Sequence, residues 1–133
     1  MSNSSIPDNL KYSKEHEWVR VEDNGIAYVG ITDYAQSQLG DLVYVEVETV
    51  GDVIKVDDIF GTAEAVKTTS ELYMPVAGKV LEFNSQIADT GGDNPGLINE
   101  DPYGEGWIIK VEMTNPEDLD RLLDAKAYEA EIG

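Results

Sequence analysis

Leu42-Val43-Tyr44-Val45-Glu46-Val47-Glu48 is the stretch from which the fold can be read. Its side chains alternate with the period of two that a half-buried strand requires, placing three valines on one face and two glutamates on the other. Trp107-Ile108-Ile109-Lys110-Val111-Glu112-Met113 repeats the pattern, with Trp107, Ile109, Val111 and Met113 expected to face inward. Upstream, Trp18-Val19-Arg20-Val21-Glu22 and Ile26-Ala27-Tyr28-Val29-Gly30-Ile31 flank Asp23-Asn24-Gly25. The Asn-Gly step favours the positive φ angles of a tight turn, so these two runs are expected to form a hairpin.

Two stretches depart from the β pattern. Thr32 can cap a short helix over residues 33–39, with Gly40 where a left-handed C-terminal residue is wanted. Near the end, Asn115 precedes Pro116, whose missing N–H costs nothing at a first helical position, and Glu117 and Asp118 suit the positive end of the helix dipole. Leu119, Leu122 and Leu123 then supply an apolar stripe, so residues 115–131 are expected to be a C-terminal helical segment packed on the β domain. Gly51-Asp52-Val53-Ile54-Lys55-Val56 is echoed by Gly78-Lys79-Val80-Leu81-Glu82-Phe83, which suits a pseudo-symmetric pair of sheets or chance similarity. The expected fold is mostly β, a flattened barrel or sandwich of two sheets with a short helix after Thr32 and a C-terminal helix.

Composition narrows the function. Across 133 residues, 27 Asp and Glu face 9 Lys and Arg, a formal charge of −18. This length suits one domain over residues 1–133, with residues 1–9 as a flexible, polar N-terminus lacking a signal-peptide core. Such a charge repels nucleic acid and anionic membranes over most of the surface. No cysteine means no thiolate nucleophile and no Cys-ligated metal, and a single histidine cannot build a multi-His zinc site. No apolar run approaches the length of about 20 residues that spans a bilayer, and a cytoplasmic protein is expected. The acidic stretch 89–101 does not have EF-hand spacing, and Asn94-Pro95-Gly96 and Asp101-Pro102-Tyr103-Gly104 read as turns, so no metal is assigned.

Between the echoed segments, Lys67 is the only cation from Val56 to Gly78. If residues 62–66 and 69–73 pair as a hairpin, Lys67 stands at its tip, well placed to carry a covalently attached group into solvent. Local sequence alone favours a solvated turn lysine. His16, in His16-Glu17-Trp18-Val19-Arg20, lacks the second histidine of a zinc-protease helix and reads better as a structural imidazole than a catalytic one.

A wider pattern weighs against reading Lys67 as a solvated turn lysine. It begins with Leu10-Lys11-Tyr12-Ser13-Lys14-Glu15-His16-Glu17-Trp18, Val29-Gly30-Ile31-Thr32-Asp33-Tyr34-Ala35-Gln36 and Leu39-Gly40-Asp41. It continues in Glu64-Ala65-Val66-Lys67, Ser70-Glu71-Leu72-Tyr73 and Pro75-Val76-Ala77-Gly78, and closes with Leu97-Ile98-Asn99-Glu100-Asp101-Pro102-Tyr103-Gly104-Glu105-Gly106-Trp107. In these segments, which together cover nearly everything from Leu10 to Tyr128, the chain resembles the H protein of the glycine cleavage system. Ala65 stands where the family usually has serine, and Thr68 where alanine is common. A biotin carrier would flank its lysine with methionines and a 2-oxoacid dehydrogenase domain would show Asp-Lys-Ala; Val66-Lys67-Thr68 is neither.

The resemblance implies a lipoyl/biotinyl-domain-like barrel-sandwich hybrid and a non-catalytic carrier with lipoate in amide linkage to Lys67, in a context set by Glu64, Val66 and Thr68. It implies transfer of an aminomethyl group from a pyridoxal-phosphate glycine decarboxylase to a tetrahydrofolate-dependent aminomethyltransferase. Reoxidation by dihydrolipoamide dehydrogenase and prior modification by a lipoate-attaching enzyme complete the implied partners. Glu17, and secondarily Glu71, match the family's arm-facing segments and are candidates to hold the cationic amine; solvated surface glutamates are the rival reading. Other classes remain: a lipoyl carrier of another lipoate-dependent system, an acid hydrolase using two of the many carboxylates, or an acidic interaction module unmodified at Lys67.

Overall fold

The computed structural model describes residues 6–88 and 91–132. The first five residues of the expected flexible N-terminus therefore lie outside the described residues. Among the described residues, nine strands and three α-helices follow one another. They are β1 (Lys11–Tyr12), β2 (Glu17–Val21), β3 (Ile26–Ile31), α1 (Asp33–Leu39), β4 (Leu42–Glu46), β5 (Val53–Ile54), β6 (Ile59–Ala65), β7 (Thr69–Tyr73), β8 (Gly78–Phe83), α2 (Leu97–Glu100), β9 (Ile109–Met113) and α3 (Ala125–Ile132).

Two antiparallel sheets share the core, one in the order β1-β2-β3-β9-β8-β5 and one in the order β4-β6-β7. Val29 and Val111 from the larger sheet meet Val45, Ala63 and Leu72 from the smaller, all buried in one apolar cluster. The sandwich expected from the alternation is thus present. The β2–β3 hairpin is too, with Asn24 at φ 62° and Gly25 at φ 78° supplying the left-handed conformations its turn needs.

A second cluster covers the outer face of the larger sheet. Tyr12 and Tyr128 stack with ring centroids 4.8 Å apart, and Trp18 lies fully buried with them. Trp18 reaches this position only because Gly30 opposes it: a Cβ there would come within 2.7 Å of the indole ring. The indole N–H donates to the Pro102 carbonyl at 2.9 Å. Strand β2 is therefore buried on both faces, with Val19 in the main core and Trp18 outside it.

α1 forms as its caps require. Thr32 Oγ1 accepts from the Ala35 amide, and Gly40, at φ 82°, donates its N–H to the Gln36 carbonyl.

Four expectations need correction. A bulge between Leu42 and Tyr44 shifts the phase of β4, so Leu42 and Val45 are buried while Val43 is 49% exposed; the three valines do not share a face. Trp107 precedes β9 and packs in the outer cluster against Tyr28, leaving Ile109, Val111 and Met113 as the inward residues. The echoed segments do not sit in opposite sheets, since β5 pairs directly with β8 through Val53↔Lys79 and Ile54↔Gly78.

The C-terminal helical segment is also divided. Pro116–Arg121 is a 3₁₀ helix, and Leu122 is extended. Leu123 then exchanges backbone hydrogen bonds with Tyr12, both 2.8 Å, and so cannot also make helical ones. Asp124 restarts the chain as a helix by accepting the Ala127 amide on Oδ1 at 2.8 Å.

Candidate functional site

Strands β6 and β7 pair through Thr62↔Glu71, Ala63↔Ser70 and Glu64↔Thr69, leaving Val66, Lys67 and Thr68 as the tip. The Ala65 amide donates to the Thr68 carbonyl at 2.7 Å, and the Val66 amide donates to the Asp41 carbonyl at 3.1 Å. Buried Ala63, Ala65 and Leu72 anchor the hairpin in the core. Lys67 is exposed on this anchored turn, and among the described residues no ion pair holds its ammonium.

Beside the hairpin lies a cavity of about 230 Å³. Its walls are the turn entering β2, with Glu15 and Glu17; α1, with Ala35 and Leu39; and β7, with Glu71 and Leu72. The structure thus brings Glu17, on β2, and Glu71, on the strand that leads away from Lys67, to one cavity. Glu64, opposite Thr69, lies on the exposed face of the small sheet, the face that Glu71 also joins through its pairing with Thr62.

The two cavity glutamates differ in kind. Glu71 is exposed at the rim, whereas Glu17 is 2% exposed. Ser13 Oγ donates to Glu17 Oε1 at 2.6 Å and accepts the Glu17 amide at 3.0 Å, while the Tyr73 amide points at Oε2 from 3.4 Å. Burial pushes the Glu17 carboxyl up to about 8, against the pull of the Ser13 and Tyr73 hydrogen bonds. This shift favours its acid form. A neighbouring ammonium would offset the desolvation and favour the carboxylate, so the group is suited to seat a protonated amine.

His16, which also lines the cavity, is tied into the fold by its imidazole. Nδ1 lies 2.8 Å from the Tyr128 hydroxyl, which lies 2.7 Å from Thr32 Oγ1, so the imidazole joins the β2 turn to α3 and to the cap of α1. Burial lowers its pKa, favouring the neutral ring. In the acidic stretch, Asp89 lies outside the described residues; Asn94-Pro95-Gly96 leads into α2, and Gly104 turns back on the Asp101 carbonyl at 3.2 Å. Among the described residues no group of three or more His, Asp or Glu could hold a metal ion.

A larger cavity, about 490 Å³, is lined in part by Tyr73. Its lining holds the cations Lys14 and Arg121 together with Glu15, Asp57 and Asp118, so it carries no net charge complement for an anion. Ser13, Ala35 and Leu39 join the site without a chemical signature of their own in the sequence. The i, i+4 spacing of Ala35 and Leu39 was the available signal for a helix face turned toward the site.

A family model described as Glycine cleavage H-protein matches residues 10–133. The Glycine cleavage system H protein of Symbiobacterium thermophilum is 56% identical over 127 residues, covering 96% of this chain and 95% of that protein. That of Bacteroides fragilis is 52% identical over 128 residues, covering 96% and 98%. The crystal structure of a glycine cleavage system H protein from Mycobacterium marinum superposes with a TM-score of 0.84 at 34% identity, over 96% of this chain and 99% of that one. With these matches spanning the hairpin, its lysine and the cavity beside it, the chain belongs to the glycine cleavage H-protein family, the lipoyl carriers of the glycine cleavage system.

Proposed function

We propose that Lys67 bears lipoate in amide linkage and that the chain, a carrier rather than a catalyst, presents it in the cytoplasm. Its partners are the pyridoxal-phosphate glycine decarboxylase, the tetrahydrofolate-dependent aminomethyltransferase, dihydrolipoamide dehydrogenase and a lipoate-attaching enzyme. The observation that carries this reading is the exposed Lys67 on a core-anchored hairpin whose second strand walls a cavity containing buried Glu17.

The residues present fit the group. Ile31, Ala35, Leu39 and Leu72 offer apolar cover for an alkyl arm, and Glu17 and Glu71 supply the polar end of the same cavity. Bound at Lys67, lipoate supplies a redox-active pair of sulfurs that this cysteine-free chain lacks. Tethering holds the cargo at high effective concentration near each docked active site. Glu17 would serve as counter-ion for the amine derived from glycine, its proton passing to the amine where that arrives neutral and to solvent where it arrives as ammonium, and Glu71 would add negative potential at the rim. With Glu17 itself buried, the pair would form away from bulk water.

Glu64, Val66 and Thr68 frame the lysine for the attaching enzyme. Val66, 72% exposed, and the bulged Val43 put apolar surface beside the acidic face formed by Glu46, Glu64 and Glu71. A partner with a basic rim is steered onto such a face quickly and held briefly, which suits a shuttle.

The test is to load the lipoylated protein with its aminomethyl cargo and follow loss of the amine in the wild type and in Glu17→Gln. Faster loss from the variant supports the role of Glu17; equal rates would sink it. Lys67→Arg should accept no lipoyl group at all.

A further inference from the structure

Asn99, on α2, lies outside the cavity, yet its side-chain amide makes three hydrogen bonds, each 2.9 Å. Oδ1 accepts from the Leu42 amide, and Nδ2 donates to Gln36 Oε1 and to the Gly40 carbonyl. Gly40 and Leu42 flank Asp41, whose carbonyl receives the Val66 amide, and Val66 immediately precedes Lys67. Gln36 belongs to α1, the helix whose Ala35 and Leu39 wall the cavity.

We propose that Asn99 is a positioning residue that sets the lysine turn and the cavity wall in fixed relation, and thereby governs how an arm on Lys67 seats in the cavity. The Gly40 carbonyl belongs to the C-terminal end of α1, where helical partners run out, and the Leu42 amide opens β4; one side chain meets both needs. Clamping the residues on either side of Asp41 fixes the direction of its carbonyl, hence the anchor of Val66. The same Nδ2 holds Gln36, whose Nε2 donates to Asp33 Oδ1 at 2.7 Å, so the clamp runs back through α1. Aspartate has the shape of asparagine but no donors, and it would set lone pairs against the Gly40 carbonyl and Gln36 Oε1. Only the arm-seating consequence rests on the carrier reading; the mechanical link between Asn99 and Val66 does not.

The test uses the unmodified chain and residue-resolved amide hydrogen exchange. In Asn99→Asp and Asn99→Ala, exchange at Val66 should rise by about tenfold or more relative to the amides of the β3–β9 ladder. Gln36→Met, which removes one of the three bonds, should move the same ratio in the same direction by less and serves if the Asn99 variants do not fold. Asp118→Ala is the control for general destabilisation: it breaks a 2.9 Å bond to the Ala77 amide beyond the other end of β7 and should leave the ratio unchanged. An unaltered Val66 ratio in the Asn99 and Gln36 variants, or an equal change in Asp118→Ala, overturns the proposal. In lipoylated protein, Asn99→Asp should be modified at Lys67 as readily as wild type yet lose the loaded amine faster. Loss at the wild-type rate overturns the arm-seating role, whereas failure of any protein to accept lipoate at Lys67 counts against the carrier reading and leaves the exchange result standing.

Discussion

Replacing Glu17 by glutamine should change how the unmodified protein's stability responds to pH. Burial raises the Glu17 carboxyl from the ordinary 4.5 to about 8, so between those values the folded state holds a proton that the unfolded state has released. Stability from this group is complete below pH 4.5 and is lost as pH rises to about 8. The slope is about 1.4 kcal/mol per pH unit, or about 4 kcal/mol between pH 5 and pH 8. Glutamine removes the proton-linked contribution while leaving the other 26 acidic residues in place, 27 less one. The assay is denaturant unfolding of both proteins at pH 5, 6, 7 and 8, read by fluorescence from the buried Trp18. The wild type should lose ground to Glu17→Gln steadily across this range. A difference between the two that stays flat within about 0.5 kcal/mol from pH 5 to pH 8 would refute a buried, proton-holding Glu17.

Gly30→Ala should cost about 1–3 kcal/mol and shift Trp18 emission, because the added methyl meets the indole at 2.7 Å; unchanged unfolding would contradict that close approach. Asp124→Ala should cost about 0.5–2 kcal/mol by removing the cap that restarts α3, measured by the same denaturant curves. Lys67→Arg should stay within about 0.5 kcal/mol of wild type while abolishing lipoylation, since the side chain is exposed and makes no ion pair among the described residues. Association with the decarboxylase should slow steeply between low and physiological salt if the Glu46, Glu64 and Glu71 face guides docking; a rate insensitive to salt would exclude that role.

Features governed by local chemistry were legible in the sequence. Asn24 and Gly25 take the positive φ angles their types favour, and Thr32 and Gly40 bound α1 as a cap pair should. The placement of Lys67 at a hairpin tip came from the β-forming residues around it. Features decided by distant contacts were not legible. The bulge after Leu42 turns Val43 outward although the valine pattern is unbroken, and Leu123 leaves its helix because Tyr12 claims both its backbone groups. The burial of Glu17 was hidden for the same reason: β2 is covered on both faces, so a glutamate in an acidic chain is enclosed by Ser13 and the edge of β7 rather than by water. The role of Asn99 is not legible either, because its three partners come from α1 and the chain leading into β4, roughly sixty positions away.

Intact mass with peptide mapping on protein purified from its native cells tests most directly whether Lys67 is a covalent attachment point. The expected result is an increment of one amide-linked lipoyl group located on Lys67. An unmodified Lys67 in cells that lipoylate their other carriers would contradict it and leave the chain as an acidic interaction module.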